Sequence, residues 1–425
     1  MMKRIVVLLS ALCFLGCKRA DVKEGNEAKQ KTDTAYLQSD PEEESGIVEG
    51  VIPDVTVPVE MGWKSVTVDS DGETGYYNSL SHGVDGSLAI AYYDNTNRDL
   101  KCAFYGKHLD AISWKIDIVD SLGDVGIRPS VDHNSAGEPA ISYYDATKRN
   151  LKYAFYRDGQ WVVETVDDGS NVGMYSSLVH NPEGRPAISY YDRSNADLKF
   201  AVRGESGWRI SVVDSEGRVG LYSCLSYDRD GVPVISYEDG GERVLKCAVR
   251  YDNEWYCVVV DEGIDPNNPN SLNDKADVGS RSSLACDVKG RIHIVYFDNT
   301  NTALKYAVYD DTLQHMKYDP KPGEHWKVDT IDCIDDPGHV GALHLIKDEH
   351  LAISCTDWKE KRLFYLTREE EDWEKEPIYP AGLVDEITSL SHGPNGHAAI
   401  SCYSATNKEL QLISWAIVQK KETEE

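Results

Sequence analysis

The chain has 425 residues, with 44 Lys and Arg against 72 Asp and Glu and a formal net charge of −28. That balance excludes unaided binding to nucleic acid or to an anionic bilayer, because phosphate contacts need a basic surface. Its 25 Tyr and 9 Trp against 6 Phe, with 33 Gly, suit half-buried strands and tight turns and exclude a helical bundle or a fully disordered chain.

Residues 1–17 read as an export segment. Lys3 and Arg4 precede an apolar run, Ile5 to Leu15, too short to span a bilayer comfortably. It ends in Phe14-Leu15-Gly16-Cys17, which resembles the lipobox of bacterial lipoproteins. The resemblance implies cleavage before Cys17, lipidation of Cys17 and attachment to the cell envelope through lipid alone. An ordinary secretory signal peptide is the alternative. Residues 18–60 carry Lys, Glu, Asp, Ser and Pro without a period, as in Pro41-Glu42-Glu43-Glu44-Ser45. Such a stretch cannot bury enough apolar area to offset its ordering entropy, so it reads as a flexible acidic tether.

From residue 61 to 420 one phrase recurs seven times. Ile90-Ala91-Tyr92-Tyr93-Asp94 with Leu100-Lys101-Cys102-Ala103 returns as Ile141-Ser142-Tyr143-Tyr144-Asp145 with Leu151-Lys152-Tyr153-Ala154, then as Ile188 to Asp192 with Leu198. Later copies end on Asp239, Asp298, Asp357 and Ser404. Ten residues before each Ile stands Leu80, Val131, Leu178, Leu225, Leu284, Leu343 or Leu390. Five residues earlier stands Gly75, Gly126, Gly173, Gly220, Gly279 or Gly338, with Asp385 in the last copy. Turn residues divide each copy into three alternating runs, strands a, b and c. A fourth run, strand d, opens at Trp114, Trp161, Trp208, Trp255, Trp326 and Trp373 after the first six copies. The seventh such run stands before the first copy, from Trp63 to Asp69.

One d strand at the wrong end is what a closed ring requires, and closure removes exposed sheet edges. The spacing therefore predicts an all-β, seven-bladed β-propeller of four-stranded blades over 61–420, closed by an N-terminal outer strand, with a tail at 421–425. An open β-solenoid would not explain the displaced strand.

In such a ring the d-to-a and b-to-c connections share the top face. Asp94, Asp145, Asp192, Asp239, Asp298 and Asp357 close strand b, and Asp69, Asp120, Asp167, Asp214, Asp261 and Asp332 close strand d. A role repeated in nearly every blade reads first as turn architecture, with ligand or metal contact as lesser alternatives. Asp69-Ser70-Asp71-Gly72-Glu73 is oxygen-rich but lacks the full spacing of a calcium loop. Together these acids predict an acidic rim.

Two residues beyond the Gly position, Tyr77, Arg128, Tyr175, Tyr222, Arg281, Val340 and Ile387 should ring the channel mouth. The three Tyr offer faces for stacking on sugar rings. Arg128 and Arg281 suit a carboxylate or sulfate gripped bidentately, or each pairs with a neighbouring blade's Asp. These five are the candidate ligand-binding residues. An insert at 264–274 lengthens the top face beside Arg281, and another around 315–324 extends a c-to-d hairpin on the bottom. The strand-d Trp residues read as inter-blade packing. The His residues show no metal-ligand spacing. The eight Cys beyond the export segment read as mostly free, buried thiols with at most one or two bridges.

The Ile-Ser-Tyr-Tyr-Asp…Leu-Lys-Tyr-Ala phrase resembles the repeat of a loosely defined group of bacterial exported β-propellers. That resemblance implies a fold and says little of activity. The likeness to sialidases is architectural only, because their Ser-x-Asp-x-Gly-x-Thr-Trp boxes are missing. Two classes of function follow. The first is a non-catalytic, monomeric binding or scaffold module, tethered through Cys17, that offers its top face to a protein or glycan. It parallels propeller lipoproteins that assist outer-membrane assembly. The rival is a polysaccharide hydrolase or lyase at the channel mouth, drawing on the Asp ring and on Tyr77, Tyr175 or Tyr222. Catalysis is asymmetric around a ring, so a repeated Asp favours the first.

Overall fold

A computed structural model describes residues 59–106, 114–264, 275–310, 325–334, 336–346, 350–369, 371–378 and 384–419. The export segment with Cys17, the tether up to residue 58, the tail, and the inserts apart from Ile264 lie outside the described residues, whereas Val59 and Glu60, expected in the tether, already belong to the closing strand because they pair with Gln419 and Val418.

Seven antiparallel sheets of four strands make up the fold, each in the order a-b-c-d, and no helix occurs among the described residues. The chain is a seven-bladed β-propeller. Blade 2 is representative, with a at Val125–His133, b at Pro139–Asp145, c at Asn150–Arg157 and d at Gln160–Asp167. Strand b is buried along its whole length, as a strand sandwiched between neighbouring blades must be, whereas strand d alternates towards solvent. The recurring Leu or Val of strand a lies directly opposite the Ile of strand b in all seven blades, from Leu80 and Ile90 to Leu390 and Ile400. Closure is as the displaced run requires. Val59–Asp69 pairs with Glu409–Gln419, and Trp63 faces Trp415.

Three devices join one blade to the next. First, Gly126 has a φ of +93°, and a Cβ there would stand 2.8 Å from Leu100 Cα of the preceding blade; Gly75, Gly173, Gly220 and Gly279 repeat this close approach. Second, the d-strand Trp packs on strand c of the preceding blade: Trp208 lies 5.2 Å from Tyr153, Trp255 5.2 Å from Phe200 and Trp373 5.6 Å from Tyr306. Third, the innermost strand a has a free edge, and its N–H groups need acceptors. Val131 N–H donates to Ser79 Oγ, Leu178 to Ser130, Leu225 to Ser177 and Leu343 to Ser283, each across a blade boundary at 2.9–3.1 Å.

The described cysteines are all free thiols, and Cys102, Cys247, Cys355 and Cys402 are buried. Cys102 fills the slot that Tyr153 holds in blade 2, and Trp161 there stacks on Phe104 instead, at 5.6 Å.

Candidate functional site

The two Asp sets do not form an acidic rim. Ten of the twelve are buried, with Asp261 half-buried and Asp332 exposed. The reason lies in the next blade. Asp120 Oδ1 accepts the Leu122 N–H, and its Oδ2 accepts from the Tyr143 hydroxyl at 2.6 Å and from Lys152 Nζ at 2.5 Å. Asp69 does the same with Tyr92 and Lys101, Asp167 with Tyr190 and Lys199, Asp214 with Tyr237 and Lys246, and Asp261 with Tyr296 and Lys305. Strand-b Asp residues cap their own turns, as Asp94 Oδ1 does for the N–H groups of Thr96 and Asn97. Turn architecture and an inter-blade latch account for every member of both sets except Asp332. The latch is missing where blade 6 presents Cys355 and Phe364, and blade 7 Cys402 and Gln411, in the Tyr and Lys slots. In the Asp69–Glu73 segment, Lys101 holds Asp69 and Lys408 pairs with Glu73, so side-chain cations take up those oxygens. Among the described residues no group of three or more His, Cys, Asp or Glu is arranged to hold a metal.

The five mouth residues do converge. Tyr77, Arg128, Tyr175, Tyr222 and Arg281 line one cavity of about 190 Å³ on the channel axis, with Ser223 and Gly341 among its other walls. Each sits at a break in the a-b register with a left-handed φ: 51°, 51°, 55°, 50° and 53°. For non-Gly residues this conformation costs roughly 1–2 kcal/mol, and the bulge turns the side chain from the sheet face towards the axis. The next blade fixes the backbone behind them: Ser223 Oγ donates to the Tyr175 carbonyl at 2.9 Å and Ser282 Oγ to that of Tyr222 at 3.3 Å. The Val340 and Ile387 side chains lie outside the described set.

Arg128 is the centre of this arrangement. Its Cζ lies 5.0 Å from the ring centre of Tyr77, 4.7 Å from Tyr175 and 5.8 Å from Tyr222. The Tyr175 and Tyr222 rings are themselves 4.4 Å apart. Among the described residues Arg128 pairs with no neighbouring blade's Asp; three aromatic faces hold it instead. Cation–π contacts stabilise such a guanidinium by about 0.5–2 kcal/mol each without using up its N–H donors on a carboxylate. Burial, and then the adjoining Tyr222, push the Tyr175 hydroxyl up to about 12, against the pull of Arg128.

One residue that the sequence reading passed over stands directly behind the mouth. Glu238 occupies the slot that Tyr93 and Tyr144 hold in blades 1 and 2, where the hydroxyls donate to Asp124 at 3.0 Å and Asn171 at 2.9 Å of the next blade. In blade 4 the corresponding partner is Asp277, so carboxyl faces carboxyl. Burial, followed by Asp277, raises the Glu238 pKa to about 7, and its charge is felt at Tyr175. The signal was the single Tyr-to-Glu change in the repeated phrase.

Fold and mouth together define a seven-bladed propeller with an arginine held by tyrosines at its channel entrance. No protein-family model matches the chain, and no curated protein matches it in sequence. Among solved structures it is similar to an ulvan lyase of a new polysaccharide lyase family (TM-score 0.54, 11% identity, covering 84% of this chain and 96% of that one), a protein also seen bound to -[GlcA(1-4)Rha3S]-. It is similar to the polysaccharide lyase Uly1 (TM-score 0.52, 10% identity, 83% and 99% covered). A protein of unknown function from Dyadobacter fermentans shows the same degree of likeness (TM-score 0.50, 10% identity, 84% and 100% covered). At these identities the likeness is one of fold.

Proposed function

We propose that this chain is a non-catalytic binding propeller that takes an anionic glycan at its channel mouth and is held at a cell envelope by lipid on Cys17. The observation that carries the reading is Arg128, a guanidinium braced by Tyr77, Tyr175 and Tyr222 with no carboxylate partner among the described residues. Such a group is pre-organised for a planar carboxylate or a sulfate, and Tyr edges and hydroxyls suit the rest of a sugar. The acidic, sulfated disaccharide carried by the ulvan lyase of the same fold supports this ligand class. Calorimetric titration with uronate-bearing, sulfated and neutral oligosaccharides tests it. Acidic glycans should bind, neutral ones should not, and Arg128→Gln should remove one equivalent of that acidic-glycan binding. Equal binding of neutral glycans, or an Arg128→Gln variant that binds as well as the parent, refutes it.

Glu238 favours a second reading, a lyase acting on uronate polysaccharides. Such a reaction needs a cation on the uronate carboxylate and a group near neutrality to accept a proton, and Arg128 and Glu238 have those properties on one side of the ring. Incubation with acidic polysaccharides decides between the two. Appearance of unsaturated product, lost in Glu238→Gln, favours the lyase; retention of the intact polymer favours the binder.

A further inference from the structure

A second cavity, of about 830 Å³, opens at the boundary of blades 5 and 6, well within the range of small-molecule sites. Tyr306, Arg368 and Trp373 line it, with the cations Lys289 and Arg291 and five carboxylates, Asp329 and Glu371 among them. The repeat itself shows what this lining is built to hold.

Arg368 and Trp373 are a cross-strand pair on strands c and d of blade 6. Blade 3 has the same pair at the same positions, Arg203 and Trp208. There both side chains clamp one carboxylate of the preceding blade: Arg203 Nη2 lies 3.1 Å from Glu164 Oε2, and Trp208 Nε1 donates to Glu164 Oε1 at 3.1 Å. Glu164 stands opposite Tyr153 in blade 2. The corresponding residue in blade 5, opposite Tyr306, is Asp329, one methylene shorter and exposed. Among the described residues no carboxylate comes within ion-pair distance of Arg368, and its Nε is buried without a hydrogen-bond partner. The guanidinium is held in place all the same, 4.4 Å from the Tyr306 ring and 5.7 Å from that of Trp373. In blade 4 the pair is Arg250 and Trp255 with Ser211 in the acceptor slot, and there both Arg250 Nε and Trp255 Nε1 are buried without partners, whereas in blade 6 the Arg368 Nε is so buried and the Trp373 Nε1 is not.

The geometry points to a carboxylate-binding site in the blade 5–6 cleft, in which Arg368 and Trp373 clamp the carboxylate of a small sugar acid as Arg203 and Trp208 clamp Glu164. Mixed donors and acceptors on the walls fit a polyhydroxyl ligand, whose every OH both donates and accepts, better than an apolar one. An Arg left without its carboxylate while a cavity opens in front of it is a site awaiting that group from outside.

The experiment is a calorimetric titration of the full chain in the Arg128→Gln background, which takes the channel mouth out of the signal. The probes are digalacturonate, its methyl ester and a tri-glutamate peptide. Digalacturonate should bind at one equivalent and the ester should not. Arg368→Gln should weaken binding at least tenfold. Asp329→Glu should do the same by supplying the missing methylene and closing the clamp from within. Undiminished binding in both variants, no binding of digalacturonate, or equal binding of the ester overturns the site. Arg368-dependent binding of tri-glutamate as tight as that of the sugar acid overturns the assignment to a sugar.

Discussion

Arg128 places its guanidinium 4.7 Å from the ring centre of Tyr175, although the two residues belong to successive blades. Each reaches the axis from a bulge that follows a repeated Gly. Scaffold positions common to five blades thus build an asymmetric group, because only two of the five carry Arg.

Removing the cation and removing its support should therefore differ. Arg128→Ala should lower affinity for a uronate ligand by about 2–3 kcal/mol, the range of a charge-assisted hydrogen bond. Tyr175→Ala should cost about 1 kcal/mol, since it loosens one of three aromatic faces. Paired titrations against the same uronate oligosaccharide measure both.

The latch at Asp120 makes a stability prediction. Its partner Lys152 and Asp120 itself are 7% and 4% exposed, so Asp120→Ala takes the acceptor from the buried Tyr143 hydroxyl and leaves Lys152 with Asp145 alone, 3.6 Å away. A loss of about 2–3 kcal/mol is expected in urea unfolding. The same change at Asp332, which is exposed and outside any latch, should stay within about 0.5 kcal/mol.

Stability should peak near neutral pH: burial holds His82 and His133 down to about 4 and His392 to about 3, so their contribution is complete above the ordinary imidazole value near ~6.5 and is lost as pH falls. Burial alone would raise the carboxyls of Asp94, Asp120, Asp167 and Asp214, but hydrogen bonds from Asn97, Lys152, Lys199 and Lys246 and from neighbouring N–H groups outweigh it and hold all four below the usual range. Their contribution is present above the unfolded value near ~4 and is lost as pH falls through the lower folded values. Glu238 acts in the opposite sense. With a folded pKa of about 7, its contribution is complete below about 4.5 and lost as pH rises through 7. Melting temperatures measured from pH 3 to 9 should be highest near neutral pH, and Glu238→Gln should raise them from about pH 5 upward while leaving those at pH 3 unchanged.

Gly126→Ala should destabilise by roughly 2–4 kcal/mol, because a methyl group would meet Leu100 below 3 Å at a φ that L residues rarely adopt. Gly159, also at positive φ but with nothing within 4 Å, separates the two causes. Its Ala variant should lose only the backbone share, read from the same unfolding curves.

Much of this was legible in the sequence because a repeat reports geometry through spacing. The Leu80–Ile90 interval is one a-b hairpin, and it recurs without a slip to Leu390–Ile400. The fixed Gly-to-mouth offset brought Tyr77, Arg128, Tyr175, Tyr222 and Arg281 to one cavity. The same regularity misled the reading of the acids. Asp120 was placed correctly at the end of a strand, but its direction depends on Tyr143 and Lys152, which lie 23 and 32 residues away in the next blade. An intra-blade pattern does not show across which boundary a side chain turns.

What the sequence determined by itself was the ring: seven copies, four strands each, closed by the run from Trp63 to Asp69. Local turn chemistry and alternation are written into consecutive residues, so they can be read in order. What only the tertiary structure decided was which charges are used up and which are free. Asp120 is neutralised inside the wall, Arg128 is braced by three rings, Glu238 faces Asp277, and Arg368 waits where Asp329 falls one methylene short. Each outcome depends on a distance of a few ångströms between blades, and the Coulomb and hydrogen-bond energies that separate a latch from a site change over that same length.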